Sequence, residues 1–190
     1  MRSDELLERL EAVLADYTPR QIDNPSASAA AVLVLVRSVK DEPHIVFTER
    51  TSKVEHHKGQ ICFPGGGSDE TDPTPEATAL RETFEEIGVK SEDVRIIGQL
   101  DDMVTVSNFR VSPFVGVIQH EAGYEYEICD AEVERVIEVP LSFLMEDGNM
   151  ELEVREHQGR EVLVPAFSYN GHRIWGATAR MLHQLIELVR

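Results

Sequence analysis

Three glutamates, Glu82, Glu85 and Glu86, sit close together in the run Arg81-Glu82-Thr83-Phe84-Glu85-Glu86-Ile87-Gly88. In a helix, a step of roughly 100° per residue puts them on one face within about 100° of arc. Like charges at that spacing repel, so an isolated helix would not favour them. A divalent cation removes the penalty. Mg2+ or Mn2+ prefers hard oxygen ligands and keeps water and substrate phosphate in its shell. Arg81 stands four residues from Glu85 and can steady that carboxylate. Leu80, Phe84 and Ile87 fall on the opposite face and are expected to be buried. The bland alternative is a solvated acidic face. Against it stands Phe63-Pro64-Gly65-Gly66-Gly67, a run whose glycines let backbone carbonyls approach the same metals.

A second group lies just upstream. Arg50, Lys53, His56, His57 and Lys58 crowd into nine positions of a chain with 35 acidic and 18 basic side chains in 190 residues, a formal charge of −17. Arg50 can hold a phosphate bidentately, and Lys53 adds a point charge. His57 either joins them or braces the glycine run. The alternative is a solvated loop whose charges have no role. Arg110, after Phe109, is a further substrate-contact candidate. Glu132 heads a strand and is either a general base or an ordinary exposed glutamate.

The acidic balance excludes nucleic acid as a partner, because that binding rests on Lys and Arg neutralising phosphates. An anionic small molecule remains open if metals or the local basic patch reverse the field. No apolar run approaches the roughly 20 residues of a membrane span, and the first residues are too charged for a signal peptide. Cys62 and Cys129 form neither a metal spacing nor a disulfide framework. A reduced, cytoplasmic protein without membrane contact is expected.

The elements that must position these groups follow from periodicity and punctuation. Residues Ser3–Leu14 read as an amphipathic helix and Thr18–Ser28 as a linker. Strands are expected at Ala31–Val36 and His44–Thr48, a hairpin with a longish loop, and at Ile61–Phe63. Thr74 as N-cap, Pro75 at the first helical position and Gly88 as stop frame the helix that carries the glutamates. Strands follow at Val94–Leu100, Val111–Ile118 and Val133–Val139, then a helical turn at Leu141–Leu144. A hairpin, Met150–Arg155 with Val162–Phe167, turns at Gln158-Gly159. A last helix covers Trp175–Val189. Helices at both ends and in the middle, with strands between, imply an α/β or α+β sandwich around a mixed sheet.

The stretch Gly67–Val89 resembles the Nudix box, the signature of hydrolases acting on a nucleoside diphosphate linked to another group. The resemblance implies an α/β/α sandwich with a loop–helix–loop catalytic motif that binds Mg2+ or Mn2+. It makes Glu82, Glu85 and Glu86 the metal ligands and Arg81 the residue that orients a glutamate. One position departs: the box places Glu eight residues before the Arg, where this chain has Pro73, with Asp69, Glu70 and Asp72 nearby.

A narrower resemblance covers Thr48–Gly66. Its T-x-R-[ST] start, H-x-G-Q and F-P-G-G are similar to the coenzyme A pyrophosphatase branch, as are Phe109–Gly116, Glu132-Val133 and Ile174–Thr178. The match spans about residues 30 to 185. It implies residues 1–28 as an N-terminal helix and linker packed on a Nudix domain of residues 29–190. It also implies hydrolysis of coenzyme A or a derivative to 3′,5′-ADP and 4′-phosphopantetheine or its acyl form. The candidate catalytic residues are then Arg81, Glu82, Glu85, Glu86 and Glu132. The candidate substrate-binding residues are Arg50, Lys53, His57, Gly66 and Arg110. Another Nudix substrate (ADP-ribose, NADH, a nucleotide sugar or a dinucleoside polyphosphate) and a non-catalytic Nudix binding module are the competing readings. A homodimer is an open option.

Overall fold

The structure is a computed structural model that describes residues 3–52, 59–119, 124–157 and 159–190. The expected first helix is α1 (Ser3–Asp16). The apolar run after it lies inside a longer strand, β1 (Ser28–Val39). Ala31, Leu33 and Leu35 of β1 pack on one side of the sheet, and Ala30, Val34 and Val36 on the other. Burial on both faces is why this strand reads as a continuous apolar run rather than an alternation.

The hairpin that follows has no long loop. Lys40 and Asp41 both take positive φ, 51° and 63°, as a tight two-residue turn requires. Pro43 already belongs to β2 (Glu42–Arg50), opposite Ser38. Six further strands complete the main sheet: β3 (Ile61–Cys62), β4 (Gly65–Gly67), β5 (Val94–Gln99), β6 (Met103–Val104), β7 (Phe109–Ile118) and β8 (Val133–Pro140). The order is β3-β2-β1-β7-β5, with β4 beside β1, β6 beside β7 and β8 beside β2. The β1–β7 pair is parallel and the other pairs are antiparallel, so the sheet is mixed as expected.

The glutamate-bearing helix, α2 (Pro75–Ile87), covers one face. Its Ala79 and Ile87 join Ala31, Leu33, Leu35, Val46 and Phe114 in one buried cluster. The other face is covered by α1, through Leu6, Leu10 and Leu14, and by α4 (Gly176–Val189), through Met181, Leu182, Leu185 and Ile186. The result is an α/β/α sandwich. After the short helix α3 (Leu141–Met145), a separate antiparallel sheet runs β11-β10-β9, from β9 (Met150–His157), β10 (Arg160–Tyr169) and β11 (His172–Ile174).

The linker between α1 and β1 is tied down by polar contacts. Tyr17 donates to Asp101 at 2.6 Å. Buried Asp102 accepts from the Ile22 amide at 3.0 Å and from the Ser112 hydroxyl at 2.7 Å. Among the described residues, no helix is long and apolar enough to cross a membrane.

Candidate active site

The α2 helix starts and stops as its sequence dictates. The Thr74 hydroxyl accepts from the Ala77 amide at 3.1 Å, Pro75 opens the first turn, and Gly88 closes it at φ 73° with its amide on the Phe84 carbonyl. A cap of this kind stabilises by about 1 kcal/mol. The orientation of the helix differs from the expected one. Phe84 is 51% exposed, whereas Glu86 is only 2% exposed and lies on the buried face with Thr78, Ala79, Thr83 and Ile87. The carboxylates therefore run from the interior outward: Glu86 inside, Glu82 half-buried, and Glu85 exposed at 55%. The physical reason is that partners from two other strands make the burial of Glu86 tolerable.

Those partners are Arg50 and the glycine strand. The Arg50 guanidinium reaches Glu86 Oε1 at 3.4 Å, and the Gly65 amide donates to Glu86 Oε2 at 3.3 Å. Burial still dominates and pushes the Glu86 carboxyl up to about 8; Arg50 and the Gly65 amide oppose the rise, and Glu132 and Glu82 add to it. The Glu82 carboxyl is also raised, by burial first, with the charges of Glu85 and Glu132 contributing against Arg81. Glu132 thus acts on both carboxylates from a separate segment. It is held there by backbone bonds, its amide to the Cys129 carbonyl and its carbonyl from the Thr51 amide, both at 2.9 Å. The side chain is exposed.

Arg81 is the second organising cation. It donates to Glu82 Oε1 at 2.8 Å, Glu85 Oε2 at 3.0 Å and the Gly67 carbonyl at 3.1 Å. Its Nε and Nη2 form a two-pronged bond with Asp72, both at 2.9 Å. Asp72 also accepts from the Thr78 hydroxyl and the Asp69 amide, each at 2.9 Å. These donors, Arg81 foremost, hold the Asp72 carboxyl well below the ordinary range. Beside Pro73, the acidic residue that Arg81 grips is thus Asp72. Sequence alone narrowed it to Asp69, Glu70 and Asp72; the fork geometry of the guanidinium selects Asp72.

The glycines are strand, not loop. Gly65, Gly66 and Gly67 pair with Val32, Ala31 and Ala30. A Cβ on Gly66 would stand 2.4 Å from Glu82 Oε2, and one on Gly65 would meet the Ala31 carbonyl at 2.4 Å. Only glycine permits helix and sheet to close this far, and the gap left is lined with carboxylate and backbone oxygens.

The structure thus gathers Arg50, Gly66, Arg81, Glu82, Glu85, Glu86 and Glu132 about one end of α2. Arg110 is not part of this group through its described contact: its guanidinium holds the Ile22 carbonyl at 3.1 Å. Lys53 and His57 lie outside the described residues. Among the described residues, no three His, Cys, Asp or Glu side chains are grouped so as to hold a metal ion between them. Mg2+ does not need such a group, because it retains waters and substrate oxygens and binds through one or two carboxylates. The donor set fits such an ion: hard oxygens only, with Glu86 buried and underneutralised.

Comparison with known proteins agrees with this arrangement. The model of the NUDIX domain family matches residues 27–158. The chain is 32% identical over 172 residues to "Uncharacterized Nudix hydrolase NudL" of Photorhabdus laumondii, covering 90% of each chain. It is 31% identical to "Nudix hydrolase 3" of Caenorhabditis elegans, over 98% of this chain and 84% of that one. Among solved structures, a MutT/nudix family protein from Enterococcus faecalis aligns over 97% of this chain and 67% of its own, with a TM-score of 0.52 at 18% identity. That likeness concerns the fold.

Proposed function

Because the chain belongs to the Nudix family of pyrophosphohydrolases, we propose that its substrate is coenzyme A or a derivative, cleaved at the diphosphate to 3′,5′-ADP and 4′-phosphopantetheine or its acyl form. The observation that carries this reading is the position of Arg50. It ends β2 against Glu86, and with Gln60 and Gly59 it forms the base of the segment that carries the coenzyme A-like spacing. Arg50 offsets part of the burial cost of Glu86 and can offer further donors to a phosphate.

Glu82, Glu85 and Glu86 would hold Mg2+ or Mn2+, which when bound neutralises diphosphate charge and acidifies a water. The chain's own residues do the rest. Arg81 orients Glu82 and Glu85, and the Gly65 amide with Arg50 orients Glu86. The proton of the attacking water passes to a carboxylate, with Glu82, Glu85 and Glu132 as the acceptors within the group. A reduced cytoplasmic setting belongs to the proposal, and Cys62 and Cys129 are both free thiols.

The test is turnover of coenzyme A, ADP-ribose, NADH and a dinucleoside polyphosphate with Mg2+ or Mn2+, with products from ¹⁸O-water weighed by mass spectrometry. Coenzyme A is expected to be preferred, with ¹⁸O in one of the two named products. Preference for ADP-ribose would overturn the substrate and leave the family standing. Arg50→Ala is expected to raise KM for coenzyme A by about tenfold or more, the scale of a lost charged hydrogen bond; an unchanged KM removes Arg50 from substrate binding.

A further inference from the structure

The hairpin of β9 and β10 has an apolar face that no described residue covers. Val154 pairs with Leu163 and Leu152 with Pro165, which places these side chains on one face. Leu152, Val154 and Leu163 are 55%, 62% and 63% exposed. The opposite face carries Glu151, Glu153 and Arg155. It is held by Arg173, which bonds Glu153, and by Arg155, whose guanidinium lies 5.0 Å from the Trp175 ring centre. β9 is also the last strand of its sheet. Its pairing partner is β10, and no described strand covers its other edge. A long, apolar, unblocked edge is a template for another strand.

We propose that β9 pairs antiparallel with β9 of a second copy of this chain, about a two-fold axis at Glu153, so that two three-stranded sheets become one six-stranded sheet. In that register the sequence Met150-Glu151-Leu152-Glu153-Val154-Arg155-Glu156 sets apolar against apolar and acid against base on either side of the axis. With the axis at Glu153, Leu152 of each copy faces Val154 of the other, and Glu151 of each faces Arg155 of the other. Centring on Leu152 sets Glu151 against Glu153, a like-charge pair. Centring on Val154 sets Leu152 against Glu156, whereas the Glu153 axis confines such a mismatch to Met150 and Glu156 at the strand ends. A shift by one residue turns the apolar row of one copy toward the acidic row of the other. Symmetric pairing doubles every favourable contact, as an isologous interface does. The central Glu153 pair is shielded because each Glu153 is bonded within its own sheet by Arg173 and Arg155.

Sedimentation velocity on the full chain from about 1 to 100 µM tests this. A monomer–dimer equilibrium is expected. Glu151→Arg and Arg155→Glu should each weaken the dimer at least tenfold. Mixed in equal amounts, the two variants should associate again, because each Arg at 151 or 155 then faces a Glu. Leu152→Lys, which breaks no ion pair, should also weaken the dimer tenfold or more. Circular dichroism confirms that each variant is folded; if Arg155→Glu is not, Glu151→Arg and Leu152→Lys still decide. A monomer throughout the range overturns the proposal, as does a dimer that these substitutions leave unchanged. A folded pair of charge variants that fails to reassociate when mixed overturns it too.

Discussion

Replacing Gly66 with alanine places a methyl group where the structure has room only for hydrogen. Its Cβ would stand 2.4 Å from Glu82 Oε2, while ordinary contact begins near 3.4 Å, so the carboxylate must retreat by about 1 Å. The backbone itself accepts alanine, because φ at Gly66 is not in the left-handed region. The fold should absorb the change by moving the far end of one flexible side chain, and the melting temperature should fall by no more than a few degrees. Catalysis should not absorb it. Misplacement on the order of 1 Å costs about 10²-fold, or about 2.7 kcal/mol in the barrier. The measurement is kcat for diphosphate cleavage with saturating Mg2+, beside a thermal melt. A shorter carboxylate, Glu82→Asp, is slow on its own account but leaves space for the methyl, so Gly66→Ala added to it should cost little more. A Gly66→Ala enzyme within twofold of the parent would refute the reasoning, as would an undiminished hundredfold loss in the Glu82→Asp background.

The raised Glu86 carboxyl, at about 8, predicts that Mg2+ affinity climbs steeply with pH up to about 8 and then flattens. In Glu86→Gln that slope should vanish in a calorimetric titration. The same group sets the sign for the metal-free protein: the folded state holds this proton more tightly than the unfolded one, so stability falls as pH rises from about 5 to 8. Melts in chelator should show that decline, and saturating Mg2+ should offset it. Asp72→Asn removes the anionic partner of Arg81 and is expected to lower kcat at least tenfold. Because the Asp72 carboxyl is depressed in the fold, its stabilisation is present above about pH 4 and lost as pH falls further, so parent and variant melts should converge in acid. Asp102→Ala strips the acceptor from the Ile22 amide and the Ser112 hydroxyl and should destabilise by about 2–3 kcal/mol in urea unfolding.

The glutamate-bearing helix is legible because its punctuation is local: cap, proline and stop all lie within the chain segment itself. Its rotation is not. A helical wheel shows which residues share a face, but Glu86 is buried by Arg50 and by the Gly65 amide, 36 and 21 residues away, and no pattern within α2 reports them. The same distance hid the contact of Arg110, whose partner Ile22 lies 88 residues earlier. The glycine strand was invisible because glycine has no preference for strands; β1 imposes the pairing. The Lys40-Asp41 turn has no local signal, because neither residue carries the Gly or Asn signature of a two-residue hairpin. Asp72 is one of three acids in its loop, and the reach of one guanidinium singles it out.

At Gly66 the Glu82 carboxylate lies so close to the strand that a side chain there would have to displace it. In the proposed function, selection among diphosphates then falls to the residues that flank this strand, Arg50 first, and exchanging those residues would redirect the enzyme without touching the contact at Gly66.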